Sequence, residues 1–446
     1  MHRYIVIIAL LFMLNLSAQE ARSISLQAAK DMALQQNQQF QGEKAALEAA
    51  KWNKTSAMSS FLPSLSLAGT LLHMDPARTI PAGGQNVTLN KDQRSLALSL
   101  SQPLFMGGRL YQSYKIASAS AQMASLSLEM EELQLKAEVE TKYYAVLQLM
   151  DILEIATREH EQAVQNMAVA DLKLETGILS RADHLRFQAS LANKDIALLQ
   201  AETAYDLALR GFMNFLGADE PLLPEAIELD ETEIQRLTKL DKQEIKSFTD
   251  RVYNLAQKQN QSLKILDKGV EISQRGQKIA NASFWPSLTL VGSRTYAENG
   301  LDRYEFEAAN QIMLNLSVPL LPQLGNYANS RKAYYQAQQT AFNAESAKDG
   351  IDLGLEAAAI NLINSARAVQ NAQLSLNITE EMYAQISERF RVNMISTLEL
   401  MDAELMVSAS RMAHARAYYD FLKARLNLLS LMGSQDEELL STIFTR

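Results

Sequence analysis

The sequence predicts a mostly α-helical chain with a β-barrel portion, in which long antiparallel coiled-coil helices are joined to two β-hairpins. Three observations carry this. The nine prolines leave long proline-free windows, four short segments alternate apolar and polar residues, and landmarks of the first half recur in order in the second.

The start reads as a secretory signal over residues 1–18. His2 and Arg3 are a short basic start, Tyr4 to Leu16 is an apolar run, and Leu16-Ser17-Ala18 fits a cleavage site. The run is short for an uncleaved anchor, and no later segment approaches the eighteen or so apolar residues of a transmembrane helix. The chain is expected to leave the cytoplasm and to cross any membrane with strands.

Composition excludes several classes. A net charge of -9 with evenly spread Lys and Arg argues against nucleic acid as a partner. The absence of cysteine removes disulfides, thiolate metal sites, a Cys nucleophile and a lipid-modified N-terminal Cys. His2, His73, His160, His184 and His414 lie far apart, and His160-Glu161 begins like a metalloprotease motif but lacks its second His. The sequence holds no P-loop, no Gly-x-Gly-x-x-Gly after a strand and no Gly-x-Ser-x-Gly. Neither an enzyme nor a cofactor is expected.

The repeat sets the organisation. Asn37 aligns with Asn260, and Phe61-Leu62-Pro63-Ser64-Leu65 with Phe284-Trp285-Pro286-Ser287-Leu288. At a slightly shorter offset Pro103 aligns with Pro319 and Leu216-Gly217 with Met432-Gly433. The first repeat is read as 19–217, with strands at about 62–72 and 95–105 and a long helix pair turning near 177–183. A linker occupies 218–242. The second repeat is read as 243–446, with strands at about 286–296 and 311–321 and a helix turn near 393–397.

Between the prolines the windows 104–220, 225–285 and 323–446 are rich in Ala, Leu, Gln, Glu and Lys. Proline costs about 3 kcal/mol inside a helix, so such windows read as helix. From Arg109 to Thr176, at ~1.5 Å per residue, a helix would be roughly 100 Å long. Leu128, Leu135, Val139, Val146 and Leu153 make an ordinary coiled-coil stripe along it. Helices this long need lateral neighbours, including neighbours from other subunits.

Four segments then switch to period two. Leu65, Leu67 and Gly69 alternate with Ser66, Ala68 and Thr70, and Leu96, Leu98 and Leu100 with Ala97 and Ser99. Leu288, Leu290 and Gly292 alternate with Thr289 and Val291, and Ile312, Leu314, Leu316 and Val318 with Met313, Asn315 and Ser317. The greasy faces lack charge, and the opposite faces are small and polar where a solvated sheet carries Lys and Glu. Strands of about ten residues suit a tilted crossing of a bilayer. Phe61, Phe105, Phe284 and Trp285 stand where strand meets helix and would form an interfacial girdle. Open sheet edges are not tolerated in lipid, so several subunits must each contribute four strands. Three would give twelve.

This layout resembles the TolC family of outer-membrane efflux proteins, and the resemblance covers nearly the whole mature chain. It rests on the order of helix, hairpin, long helix, turn and helix, repeated, and on Pro103-Leu104-Phe105 with Gly107-Gly108-Arg109 after the second strand. It implies a homotrimer with a trimeric 12-stranded transmembrane barrel and a periplasmic α-barrel. Its partners would be a periplasmic adaptor (membrane fusion) protein and an inner-membrane transporter of RND or ABC type.

The helix turns carry the most local match: Gly177-Ile178-Leu179-Ser180-Arg181-Ala182-Asp183 and Asn393-Met394-Ile395-Ser396-Thr397-Leu398-Glu399. In the family such tips dock the adaptor and form the periplasmic entrance. Gly177 and Asn393 suit positive φ at a helix end, and Ser180…Asp183 and Ser396…Glu399 are Ser-x-x-acid caps. Capping alone accounts for those four Ser and acid residues. By resemblance, Glu399 and Asp402 match an acidic ring at the entrance, and Asp183 and Phe390 match residues that help hold it shut. Ile395 stands where the family has a gate arginine, which leaves Arg389 or Arg391 as substitutes. A competing reading is a soluble periplasmic coiled-coil tether or adaptor whose alternating segments form a small β domain.

Overall fold

The computed structural model describes residues 22–218, 222–227, 231–298, 305–320 and 324–435. The expected signal at 1–18 lies outside the described residues. The chain folds into two compact units, each discontinuous in sequence. One holds Lys44–Ser127 and Ser262–Lys348; the other holds the described residues up to Glu43, Leu128–Gln261, and those from Asp349 onward.

In chain order the elements begin with β1 (Arg22–Ile24), α1 (Leu26–Gln36), α2 (Gln38–Ser59), β2 (Ser64–His73), β3 (Thr79–Ala82), β4 (Gln85–Thr88) and β5 (Asp92–Met106). Then come α3 (Arg109–Glu175), α4 (Arg181–Leu216), β6 (Leu222–Pro224), α5 (Glu231–Thr238), α6 (Lys242–Gln259) and α7 (Gln261–Ala282). The chain continues through β7 (Ser287–Glu298), β8 (Phe306–Ser317), α8 (Leu324–Arg391) and α9 (Thr397–Met432). The proline-free windows thus become helices of 67 residues in α3 and 68 in α8, each followed by one of 36. Asn37 and Asn260 both end a helix, while Gly217 and Gly433 close α4 and α9 in the left-handed region.

The sheet-bearing unit contains a four-stranded antiparallel sheet in the order β2-β5-β7-β8. The chain between β2 and β5 makes a small hairpin of β3 and β4. One strand differs from its expected limits. β8 begins at Phe306 and stops at Ser317 rather than running to 321, because Pro319 has no N–H to give the ladder. β5 runs through Pro103, which the sheet accommodates with a bulge between Pro103 and Phe105. Gly107 follows at φ +63, where an added Cβ would lie 2.6 Å from the Ala282 carbonyl and 2.8 Å from the Trp285 Cβ. Only glycine fits there.

The helical unit is held by three apolar cores. Leu237, Phe248 and Val252 pack against Leu355, Leu362 and Ile363 of α8 and Phe421 and Leu428 of α9. Ile24, Ala29 and Ala33 pack against Val139, Tyr143 and Leu147 of α3 and Phe212 and Leu216 of α4. Each such large side chain contributes about 1.5–3 kcal/mol when fully buried. The segment at 218–242, read from sequence as a linker, adds to this unit: β6 pairs in parallel with β1, and α5 gives Ile234 and Leu237 to the first core. Tyr143 fastens the junction, its hydroxyl lying 3.0 Å from the Ile24 carbonyl and 2.8 Å from that of Glu225. Burial pushes its phenol up to about 12. The third core sits at the helix turns.

Candidate functional site

The sheet has an unusual solvent. β2 and β8 are exposed at every position, including Leu67 at 66% and Ile312 at 84%. Both are edge strands with no partner on their outer side among the described residues. The register gathers the leucines on one face: Leu65 opposes Leu100, Leu67 opposes Leu98, Leu290 opposes Leu314 and Leu288 opposes Leu316. On β5 this is the more exposed face. A water-facing sheet would turn these side chains inward, and here they point out.

Register also shows what the strand pattern could not. Between β5 and β7 the apolar residues do not follow the hydrogen-bonded rows: Leu98 opposes Arg294, and Leu290 opposes Gln102. From β2 to β5 the band slides the same way, since Leu71 opposes Arg94. A greasy band oblique to the rows is what strands tilted by about 35–45° in a barrel require, because lipid depth is then constant along the slant.

The four aromatics come together at the helix-bearing end of this sheet. Phe61 precedes β2, Phe284 and Trp285 precede β7, and Phe105 is the next-to-last residue of β5. They are 38–62% exposed, and Phe61 meets Tyr114 edge-on at 6.4 Å. Beyond the bulge Phe105 opposes Leu288, which places it on the leucine face. Without the extra residue it would fall on the polar face.

The two helix turns share one backbone design. Gly177 has φ 71 and Asn393 has φ 61, the latter a rare positive value for a residue with a side chain. Ile178 N–H donates back to the Lys173 carbonyl, and Met394 N–H to that of Arg389. Ser180 Oγ accepts from Asp183 N–H at 3.1 Å, and Ser396 Oγ from Glu399 N–H at 3.3 Å. The carboxylates then diverge. Asp183 is held by the Ser180 hydroxyl at 2.6 Å and by Arg186 at 3.1 Å. Among the described residues, Glu399 is exposed and its carboxylate takes only the Ser396 hydroxyl, at 3.2 Å, while Asp402 is exposed with no ion pair.

Between the turns lies the third core, where Phe187 of α4 and Phe390 of α8 meet at 5.7 Å with Ala170 and Leu400. Asp183 and Phe390 line one cleft of about 250 Å3, yet Phe390 has no hydroxyl with which to bond the carboxylate. Neither arginine proposed as a substitute latch reaches across: Arg391 pairs with Glu388 of its own helix at 3.6 Å, and Arg389 is exposed. The cross-link is Lys173, which sequence reasoning missed. Its Nζ donates to the Phe390 carbonyl at 2.6 Å and lies 4.0 Å from the Phe390 ring centroid. Burial lowers the Lys173 pKa.

Among the described residues no helix is long and apolar enough to cross a membrane, and no cluster of metal-ligating side chains occurs. The sequence model of the outer membrane efflux protein family matches residues 30–218 and 252–434. The chain is 23% identical to the alkaline protease secretion protein AprF of Pseudomonas aeruginosa, over 95% of this chain and 87% of that one. It is 21% identical to the outer membrane protein TolC of Vibrio cholerae, over 86% of this chain and 85% of that one. In fold it matches the Campylobacter jejuni CmeC outer membrane channel with a TM-score of 0.78 and 15% identity, covering 94% of this chain and 88% of that chain.

Proposed function

Because the chain belongs to the outer membrane efflux protein family, we propose that it is one of three identical subunits whose sheets close a single barrel. The chain is a non-enzymatic outer-membrane exit duct, with a helical portion in the periplasm. The carrying observation for the trimer is the pair of unpaired edges. β8 of one copy supplies the partner that β2 of the next lacks, and lipid demands such closure. The exposed leucine face takes the bilayer, and Phe61, Phe105, Phe284 and Trp285 take its periplasmic interface.

In the same reading the two helix turns are the periplasmic end. Gly177, Ser180, Asn393 and Ser396 build the tips that an adaptor would grip, and an inner-membrane transporter of RND or ABC type would deliver the cargo. Glu399 and Asp402 form the acidic ring; Asp402 carries the argument, since capping explains Glu399 but not its neighbour one turn on. Three copies would favour cations. Similarity to a protease secretion protein over nearly the full length supports polypeptide export beside small-molecule efflux. The tether or adaptor reading has no observation in its favour, because a soluble protein would bury the sheet's leucines.

The test is the native mass. Detergent-extracted protein, kept unheated and weighed by light scattering, is expected to contain three chains. A water-soluble monomer or dimer would overturn the barrel. In the same preparation Leu314→Arg, on the lipid face, should cost about 2–4 kcal/mol of barrel stability and cut the trimer yield.

A further inference from the structure

Two residues beyond Asp402, α9 turns Glu404 inward. Glu404 lines a cavity of about 190 Å3 with Arg158 and Glu159 of α3, Lys194 of α4, Tyr383 of α8 and Arg411 of α9. The cavity lies within the helical unit, between the α3–α4 hairpin and the α8–α9 hairpin. Asn166 of α3 donates its amide to Glu404, which bridges the two hairpins. Lys194 pairs with Glu159 at 2.6 Å.

The charges around this cavity do not balance. Arg158 is taken by Glu154 of its own helix, and Arg411 by Glu380 of α8 at 3.1 Å. Among the described residues, that leaves Lys194 as the one cation for two carboxylates, Glu159 and Glu404. The second Glu159 oxygen, Oε1, is buried without a hydrogen-bond partner. Buried carboxylate oxygens are expected to have donors, and the cluster is short by one proton.

We propose that Glu404 takes up one proton from solvent, and that this proton clamps the α8–α9 hairpin to the α3–α4 hairpin and so sets the width of the ring at Glu399 and Asp402. The proposal rests on the ring reading above. To widen the ring, the start of α9 must move, and Glu404 holds that helix from behind. It is a positioning residue for the pore.

The direction of pH dependence follows from burial. Burial raises the Glu404 carboxyl above its ordinary 4.5, the Lys194 charge and the Asn166 amide oppose the rise, and the Glu159 charge adds to it. Tyr383 shares the environment: burial, then the Glu404 charge, raises its phenol. The clamped state therefore holds the proton more tightly than a state with Glu404 in water. The clamp is at full strength below the ordinary value and is lost as pH rises through the raised one. Acid should close the duct, and neutral pH should ease its opening.

Purified full-length channel in planar bilayers tests this. Wild-type opening should fall as pH is lowered from neutral toward 4.5. Glu404→Gln keeps an acceptor for Asn166, adds the missing donor and should hold opening at its acid level throughout. The drop at neutral pH should be about tenfold for each unit by which the proton affinity is raised. Glu159→Gln removes the charge that adds to the Glu404 rise, should move closing to lower pH, and carries the test if the first variant fails to assemble. A pH profile that both variants leave unchanged, even with a lowered trimer melting point, would overturn the proposal. Repeating the series in a Glu399→Gln, Asp402→Asn background separates the two ideas. If that background leaves cation block unaltered while Glu404→Gln still flattens the pH profile, the ring assignment fails and the clamp stands.

Discussion

The turn at 177–183 and the turn at 393–399 are built on one backbone plan and carry opposite electrostatics. Each ends a long helix in the left-handed region and restarts the next with a serine cap. At the first, the acid is neutralised locally by Arg186. At the second, Glu399 and Asp402 face solvent without a cation among the described residues. Shared geometry means that helix capping sets the residue types at both turns. The unshielded charge at the second is not explained by capping, and it is the feature on which the proposed acidic ring rests.

Removing what the turns share should have the largest effect. Phe187 and Phe390 are 3% and 6% exposed and pack on each other. Phe390→Ala and Phe187→Ala should each cost about 3–5 kcal/mol of local stability, since the cavity is closed by rigid helices. Hydrogen exchange should speed up at both turns in either variant. Loosening of one turn alone would mean that the core does not join them.

A smaller effect isolates the second turn. Lys173→Met removes the donor to the Phe390 carbonyl and should cost about 1 kcal/mol. Exchange should rise at Asn393 and Met394 while the Ser180 cap stays protected. Equal loosening of both turns would make Lys173 part of the common core rather than a tie on α8. The caps come next. Ser180→Ala and Ser396→Ala should each cost about 1 kcal/mol, and by equal amounts, because the two caps have the same geometry.

Much of this was legible in the sequence, for a physical reason. Proline exclusion, period-two alternation and Gly or Asn followed by Ser-x-x-acid are local signals, so α3, α8, the four strands and both turns could be read from neighbours in the chain. What escaped depends on residues far apart. Lys173 and Phe390, or Asn166 and Glu404, meet only when two hairpins pack, and neither pair leaves a periodic trace. The bulge that turns Phe105 onto the leucine face depends on register with β7, as does the oblique course of the apolar band. The pairing of β1 with β6 was hidden because three-residue strands are too short to show alternation. Ile395 suggested a missing latch, yet nothing in the sequence pointed to a lysine on α3 as the residue that crosses.

The smallest expected change in stability carries the sharpest functional contrast. Glu399→Gln with Asp402→Asn keeps size and hydrogen-bonding capacity, and neither side chain is buried. Trimer yield and turn exchange should therefore stay within about 0.5 kcal/mol of the parent, the range of ordinary surface substitutions. If the two carboxylates ring the entrance as proposed, block by multivalent cations from the periplasmic side of a planar bilayer should weaken, because that negative potential is gone. The matching change at the first turn, Asp183→Asn, should leave block intact, since Arg186 already cancels that charge. Equal loss of block from both turns would show that the local ion pair does not shield Asp183. Loss of trimers from the Glu399 and Asp402 pair would return both carboxylates to a capping role.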